Sequence, residues 1–162
     1  MDDKSDAEFL ENDVKNYFIG LCVQTNGATI KKNTVGGHCV GVFVDPGVQE
    51  ADVIENHITA PSAFCPEDGP HGGINVNGAS YTQVLHNLVE DQKAGNLTAG
   101  IVLIDDTFSP LQAEAHGNII KYNTLRNNDF DIFVNVTSTD NVVAKNSCEQ
   151  EGYGCVVGEA EE

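Results

Sequence analysis

Basic residues are what this 162-residue chain has least of among its charges: 8 Lys and Arg stand against 25 Asp and Glu, a net charge of −17 at pH 7. Without clustered cations it cannot neutralise phosphates, which excludes sequence-independent contact with nucleic acid and with an anionic membrane surface. No apolar run approaches the roughly 18 residues of a membrane-crossing helix. The opening Met1 to Asp6 is acidic where a secretory leader would be basic and then apolar, so a leader is expected either to have been removed or never to have existed. An EF-hand loop and a Gly-Gly-x-Gly-x-Asp repeat are missing, and His38, His57, His71, His86 and His116 contain no i, i+2 or i, i+4 pair. No metal is therefore assigned; Asp45, Asp105 and Asp106 are hard oxygen donors that leave Ca²⁺ the one cation to consider.

What is present is a globular composition, 40% hydrophobic with 16 glycines, and a repeat. The pattern apolar-x-x-Asn-x-apolar occurs six times, with its asparagines at Asn12, Asn33, Asn56, Asn87, Asn123 and Asn146. Each is followed by a small or turn-forming residue and then apolar-x-apolar, beginning at Gly20, Gly41, Gly73, Gly100, Asp131 and Gly154. The interval from Asn to this second pattern is 8, 8, 17, 13, 8 and 8 residues. A base unit of 21 to 23 residues with three short alternating stretches predicts a solenoid of stacked coils, a parallel β-helix of about six coils with three short strands each. The Asn at each corner is expected to take the left-handed backbone of a sharp turn and to bond its amide to the Asn above and below. Six coils at ~4.8 Å make a rod ~29 Å long. The predicted layout is an acidic lead-in over 1–8, the β-helix over 9–158 and an acidic tail over 159–162.

This register resembles right-handed parallel β-helix repeats, the fold of pectin and pectate lyases, polygalacturonases and many secreted proteins. The stretch from Asn123 through Val134, with Asn141 to Cys148 and Cys155, is similar to the final coils of secreted microbial or fungal members. With polar residues at both ends of the chain, the resemblance implies a C-terminal fragment whose neighbouring coils lie elsewhere in a longer chain, or a self-associating partner; the alternative is that like charge at both ends keeps the open coils apart.

Insertions fall at Pro61 to Pro70, Asp91 to Leu97 and Asp105 to Ala115. The resemblance puts the first two just before the third strand of their coils and the last just after it, walling one strand face into a cleft, and long loops on a rigid scaffold gather binding residues. Alternation makes Cys22, Phe43, Asn75, Val102, Phe133 and Val156 the outward positions there, followed two residues later by Gln24, Asp45, Asn77, Ile104, Asn135 and Gly158. Phe43 and Phe133 offer an apolar platform, Asn75, Asn77 and Asn135 offer amides, and His71 and His116 adjoin, so these are the candidate substrate-binding residues for a polysaccharide or cell-surface glycan. Phe43, Val102 and Phe133 covered by the loops is the alternative.

Glycoside hydrolysis needs two carboxyl groups about 5 to 9.5 Å apart, and Asp105, Asp106 and Asp45 are the catalytic candidates. The Asp105-Asp106 pair and His116-Gly117 are similar to polygalacturonase motifs, while the Asn-Thr-Asp and Arg-Ile-Lys motifs of that family are absent. A lyase would need a basic residue at the cleft, and Lys93 alone lies in an insertion beside it. The expected function is thus polysaccharide binding or hydrolysis rather than lysis, with a structural or adhesive scaffold as the alternative. Five cysteines permit Cys148–Cys155 and Cys22–Cys39 bridges with Cys65 left over, or buried single thiols. The sequons Asn96-Leu97-Thr98 and Asn135-Val136-Thr137 fit secretion, and an extracellular location is expected.

Overall fold

The computed structural model describes residues 5–66, 71–94, 98–149 and 154–157. Among these residues eighteen strands assemble into three parallel sheets, and there is no helix. Sheet A stacks β1 (Glu8–Leu10), β4 (Thr29–Lys31), β7 (Asp52–Ile54), β10 (Gln83–Leu85), β13 (Ile119–Lys121) and β16 (Val142–Ala144). Sheet B stacks β2 (Asp13–Lys15), β5 (Thr34–Gly36), β8 (His57–Ile58), β11 (Leu88–Glu90), β14 (Thr124–Arg126), β17 (Asn146–Cys148) and β18 (Cys155–Val157). Sheet C stacks β3 (Ile19–Val23), β6 (Val40–Val44), β9 (Gly72–Asn77), β12 (Ala99–Ile104) and β15 (Phe130–Asn135). Each coil runs A, B, C, as the two-part repeat requires. Inward side chains form straight columns: Ile30, Val53, Val84 and Ile120 of sheet A are paired in register and fully buried, and Val42, Ile74 and Ile101 of sheet C likewise. Each such side chain contributes roughly 1.5–3 kcal/mol of burial.

The Asn ladder is continuous. The Oδ1 of each rung accepts the backbone N–H and the Nδ2 of the rung before it, from Asn12 to Asn146, at 2.9 to 3.0 Å. One expectation is corrected. The left-handed backbone sits on the residue before each Asn, at Glu11, Lys32, Glu55, His86, Tyr122 and Lys145, with φ between 55° and 58°. The turn residue projects into solvent while the Asn keeps a strand-compatible backbone and turns its amide inward. A second, shorter ladder at the corner between sheets C and A links Thr82, Asn118 and Asn141.

Four of the repeat's glycines are not turn residues, whereas Gly154 is one, with a φ of 74°. Gly20, Gly41, Gly73 and Gly100 lie within strands and none has positive φ. They form a column in which the coils meet too closely for a side chain: a Cβ on Gly41 would lie 2.5 Å from the Gly73 carbonyl oxygen, and one on Gly73 would lie 2.5 Å from that of Gly100.

The last repeat departs from the sequence reading. Its apolar-x-apolar strand, Cys155–Val157, pairs with β17 in sheet B and not with β15 in sheet C. The disulfides are Cys39–Cys65 and Cys148–Cys155, leaving Cys22 as an exposed thiol. A Cys22–Cys39 bridge is ruled out because Cys22 points outward from mid-strand and stacks on Phe43, whereas Cys39 is buried at the corner where the first insertion begins. Two disulfides fit an oxidising environment.

Candidate functional site

The outward face of sheet C is built as alternation requires. Cys22, Phe43, Asn75, Val102 and Phe133 stand in one register, and Asn77, Ile104 and Asn135 in another. The insertions flank it: 61–66 and 91–94 are its described leading segments, and 105–115 trails it. The trailing loop leaves β12 and leans back over earlier coils. A Cβ on Gly78 would lie 2.6 Å from the Ala113 carbonyl oxygen, and one on Gly47 would lie 3.6 Å from Leu111 Cδ1.

The face is covered in its middle and open at both ends. Asn75 and Val102 are buried, Phe43 is half-buried, and Phe133 and Asn135 are exposed. At the Phe133 end a hollow of about 560 Å³ runs along the free edge of β15, lined by Phe133, Asn135, Thr137 and Ser138 together with the inward Ile132 and Val134. At the other end Gln24 Nε2 donates to Asp45 at 2.5 Å, and the Cys22 thiol donates to the same carboxylate at 3.5 Å. Partial desolvation of the sulfur, reinforced by the Asp45 charge and hydrogen bond, pushes the Cys22 thiol up to about 11.

The carboxylates of the trailing loop are committed to the fold. Asp105 accepts the Ala115 N–H at 2.8 Å with one oxygen and the Thr137 N–H and hydroxyl at 2.8 and 2.9 Å with the other. Asp106, 3% exposed, accepts the N–H groups of Phe108 and Ser109 at 3.0 and 2.9 Å and the Ser109 hydroxyl. The Ser109 hydrogen bonds hold the Asp106 carboxyl below the ordinary carboxylate value, opposite to the raised value a general acid needs. Asp45 follows β6 and Asp105 follows β12, with β9 between them, so two interstrand steps put their backbones roughly 10 Å apart. The Asp105 carboxylate turns further away, toward Thr137 beyond β15. The three carboxylates bond different partners, Asp45 to Gln24, Asp105 to Thr137 and Asp106 to Ser109.

The two histidines separate as well. His71 directly precedes β9 beside the face, and its buried Nε2 has no partner among the described residues. His116 belongs to the corner leading into sheet A, bridged to Ser80, with its ring edge-on to Tyr81 at 5.0 Å and its Nδ1 4.0 Å from Asp140. No group of three or more metal-ligating side chains exists among the described residues.

Sequence reasoning missed Phe64 and Phe108, which are 95% and 88% exposed in the leading and trailing loops. It missed Thr137 and Ser138 too. Aromatic residues in polar insertions were the available signal. Of the sequons, Asn96 lies outside the described residues, while Asn135 is exposed on β15 with the Thr137 hydroxyl engaged by Asp105.

A search of curated proteins and a search of solved structures each found no match. A family model described as right handed beta helix region matches residues 1–161. With that match over nearly the whole chain and three parallel sheets climbing in step, the protein belongs to the right-handed β-helix region family.

Proposed function

We propose that the outward face of sheet C binds a neutral glycan without cleaving it, in an extracellular setting. The observation that carries the reading is the hollow on β15, where an exposed aromatic ring, an exposed amide and two hydroxyl-bearing residues meet. An apolar ring face with amide and hydroxyl groups beside it is the chemistry that sugar rings match. Phe43, Asn75, Asn77 and Asp45 continue the same face, and Phe64 and Phe108 stand exposed at its rims.

Charge selects the ligand class. The described cations lie on sheet A (Lys31, Lys121), on sheet B (Lys15, Arg126) or at corners between sheets (Lys32, Lys145), and Lys93 is held by Asn127. A uronate polymer would meet Asp45 and Asp105 with no compensating cation on the face. Turnover is disfavoured because Asp105 and Asp106 are spent on the loop.

Calorimetric titration with neutral and uronate oligosaccharides, alongside reducing-sugar release, tests this. Neutral binding is expected, weakened at least tenfold by Phe133→Ala and unchanged by Asp106→Asn, with no sugar released. Silence on every glycan would return the chain to a structural or adhesive scaffold. Sugar release abolished by Asp105→Asn would make it a hydrolase.

A further inference from the structure

Residues 154–157 carry the repeat's signature for a sheet C strand, and carry it at the sheet C interval. Gly154 follows Asn146 by eight residues, as Gly20 follows Asn12, Gly41 follows Asn33 and Asp131 follows Asn123. All three of those partners open sheet C strands or lie within them. Yet β18 pairs in sheet B, with Asn146 opposite Cys155 and Cys148 opposite Val157.

The sheets consequently end unevenly, at six strands in A, seven in B and five in C. Among the described residues, the rung left unfilled is the one next to β15. There Ile132 and Val134 are only half-buried, while Ile101 and Leu103 one coil earlier are fully buried, and the hollow of about 560 Å³ marks the gap. Two contacts hold the strand where it is. The Cys148–Cys155 bridge ties it to β17, and the Gly154 carbonyl accepts both the N–H and the Nδ2 of Asn146 at 3.2 Å, taking the place of a seventh Asn.

We propose that residues 154–157 have two homes, the seventh rung of sheet B and the sixth rung of sheet C, and that the Cys148–Cys155 bridge selects the first. In sheet B the strand supplies the carbonyl that accepts from Asn146. In sheet C, Gly154 stacks on Asp131, which follows Gly20, Gly41, Gly73 and Gly100 in that register, Cys155 follows Ile132, and the hollow is filled. Both homes offer a short parallel pairing of the same strand, so a single cross-link is enough to decide between them. Because Phe133 and Asn135 line the hollow, the sheet C home would displace the glycan proposed above; the switch itself does not rest on that proposal.

Residue-resolved amide exchange on the bridged chain and on Cys148→Ser/Cys155→Ser tests this, with the Cys39–Cys65 bridge intact. In the serine variant, protection is expected to fall at Asn146, whose N–H is bonded to the Gly154 carbonyl, and to rise at least tenfold along the free edge of β15. Unchanged β15 exchange overturns the proposal, whether β17 stays protected, so that the strand has not moved, or is exposed, so that the strand has only come loose. Should the double variant fail to fold, Cys155→Ser alone keeps the buried Cys148 and is read the same way. No glycan enters the measurement, so a chain that binds none still decides it.

Discussion

The side-chain oxygen of Asn87 accepts the backbone N–H of Asn56 at 2.9 Å and the Asn56 Nδ2 at 3.0 Å. The Asn87 Nδ2 donates onward to Asn123 at 2.9 Å and to the Val53 carbonyl at 2.8 Å, and the residue is 1% exposed. Asn87→Ala strands the Asn56 backbone N–H and the Val53 carbonyl in a dry interior, where each orphaned group costs about 1–3 kcal/mol, and removes one of the two bonds at Asn56 Nδ2 and at Asn123 Oδ1. A loss of about 4 kcal/mol is expected from urea unfolding. Asn12→Ala, at the exposed first rung where only donation to Asn33 is lost, should cost about 1 kcal/mol. Equal losses at the two rungs would mean the ladder contributes through its turns and not its amides.

The glycine column makes a separate claim. A Cβ on Gly41 would press on the Gly73 carbonyl oxygen at 2.5 Å and on Ile58 Cγ2 at 2.6 Å, and neither a backbone nor a fully buried isoleucine can yield cheaply. Gly41→Ala is expected to cost about 3 kcal/mol. Gly47→Ala meets only Leu111 Cδ1 at 3.6 Å and carries its cost in a φ of 82°, so about 1 kcal/mol is expected there. Denaturant midpoints of the two variants, compared with the parent, check the order; a Gly47 loss as large as that of Gly41 would refute close approach as the cause.

How far the sequence carried the reading follows from which features are periodic. The Asn register, the strand count and the outward columns of sheet C repeat once per coil, so an error in one coil is corrected by five others. Features that occur once have no such check. The Cys39–Cys65 bridge depends on where the first insertion folds back, and the sheet B placement of residues 154–157 depends on a bridge that overrides the repeat's own interval. The turn geometry was misassigned because Asn tolerates the left-handed region, which hid the simpler arrangement in which Glu11, Lys32 and their counterparts take the turn and the Asn supplies only hydrogen bonds. Asp105 and Asp106 are candidates in the sequence, with Asp45, because glycoside hydrolysis needs paired carboxyls and the Asp-Asp pair is similar to a polygalacturonase motif. Their occupied acceptors could be seen only once the loop had folded around them.

Cys22 is the one thiol outside the disulfides among the described residues, and partial burial, reinforced by Asp45, raises its pKa. Its shift from 9.0 to about 11 lowers the thiolate fraction near pH 8 by about a hundredfold, and the thiolate is the reactive form. Alkylation at pH 8 should therefore be slow for a surface cysteine. Asp45→Asn removes the charge and is expected to speed labelling severalfold, leaving the desolvation part in place. A rate unchanged by Asp45→Asn would leave burial as the whole cause.

His38 is fully buried, with Nε2 3.3 Å from Gln92 Oε1 and with Nδ1 lacking a partner among the described residues. Burial pushes its pKa down to about 4 from 6.5, only partly offset by the bond to Gln92. The unfolded chain therefore takes up a proton as pH falls through 6.5, while the folded chain refuses it until about 4. Stability is complete above 6.5, falls across that window and levels off below it. At 1.36 kcal/mol per pKa unit the full effect is about 3 kcal/mol. The depressed carboxyls act elsewhere: Asp106 and Asp140 lie below the ordinary value of 3.8, so what they contribute is lost only at more acid pH. Denaturant unfolding of the parent and of His38→Gln at pH 7, 5.5 and 4.5 isolates the effect, because every other group is common to both. The parent should lose more stability than the variant over this range, by up to about 3 kcal/mol; parallel pH profiles would mean that His38 protonates in place, with water reaching Nδ1.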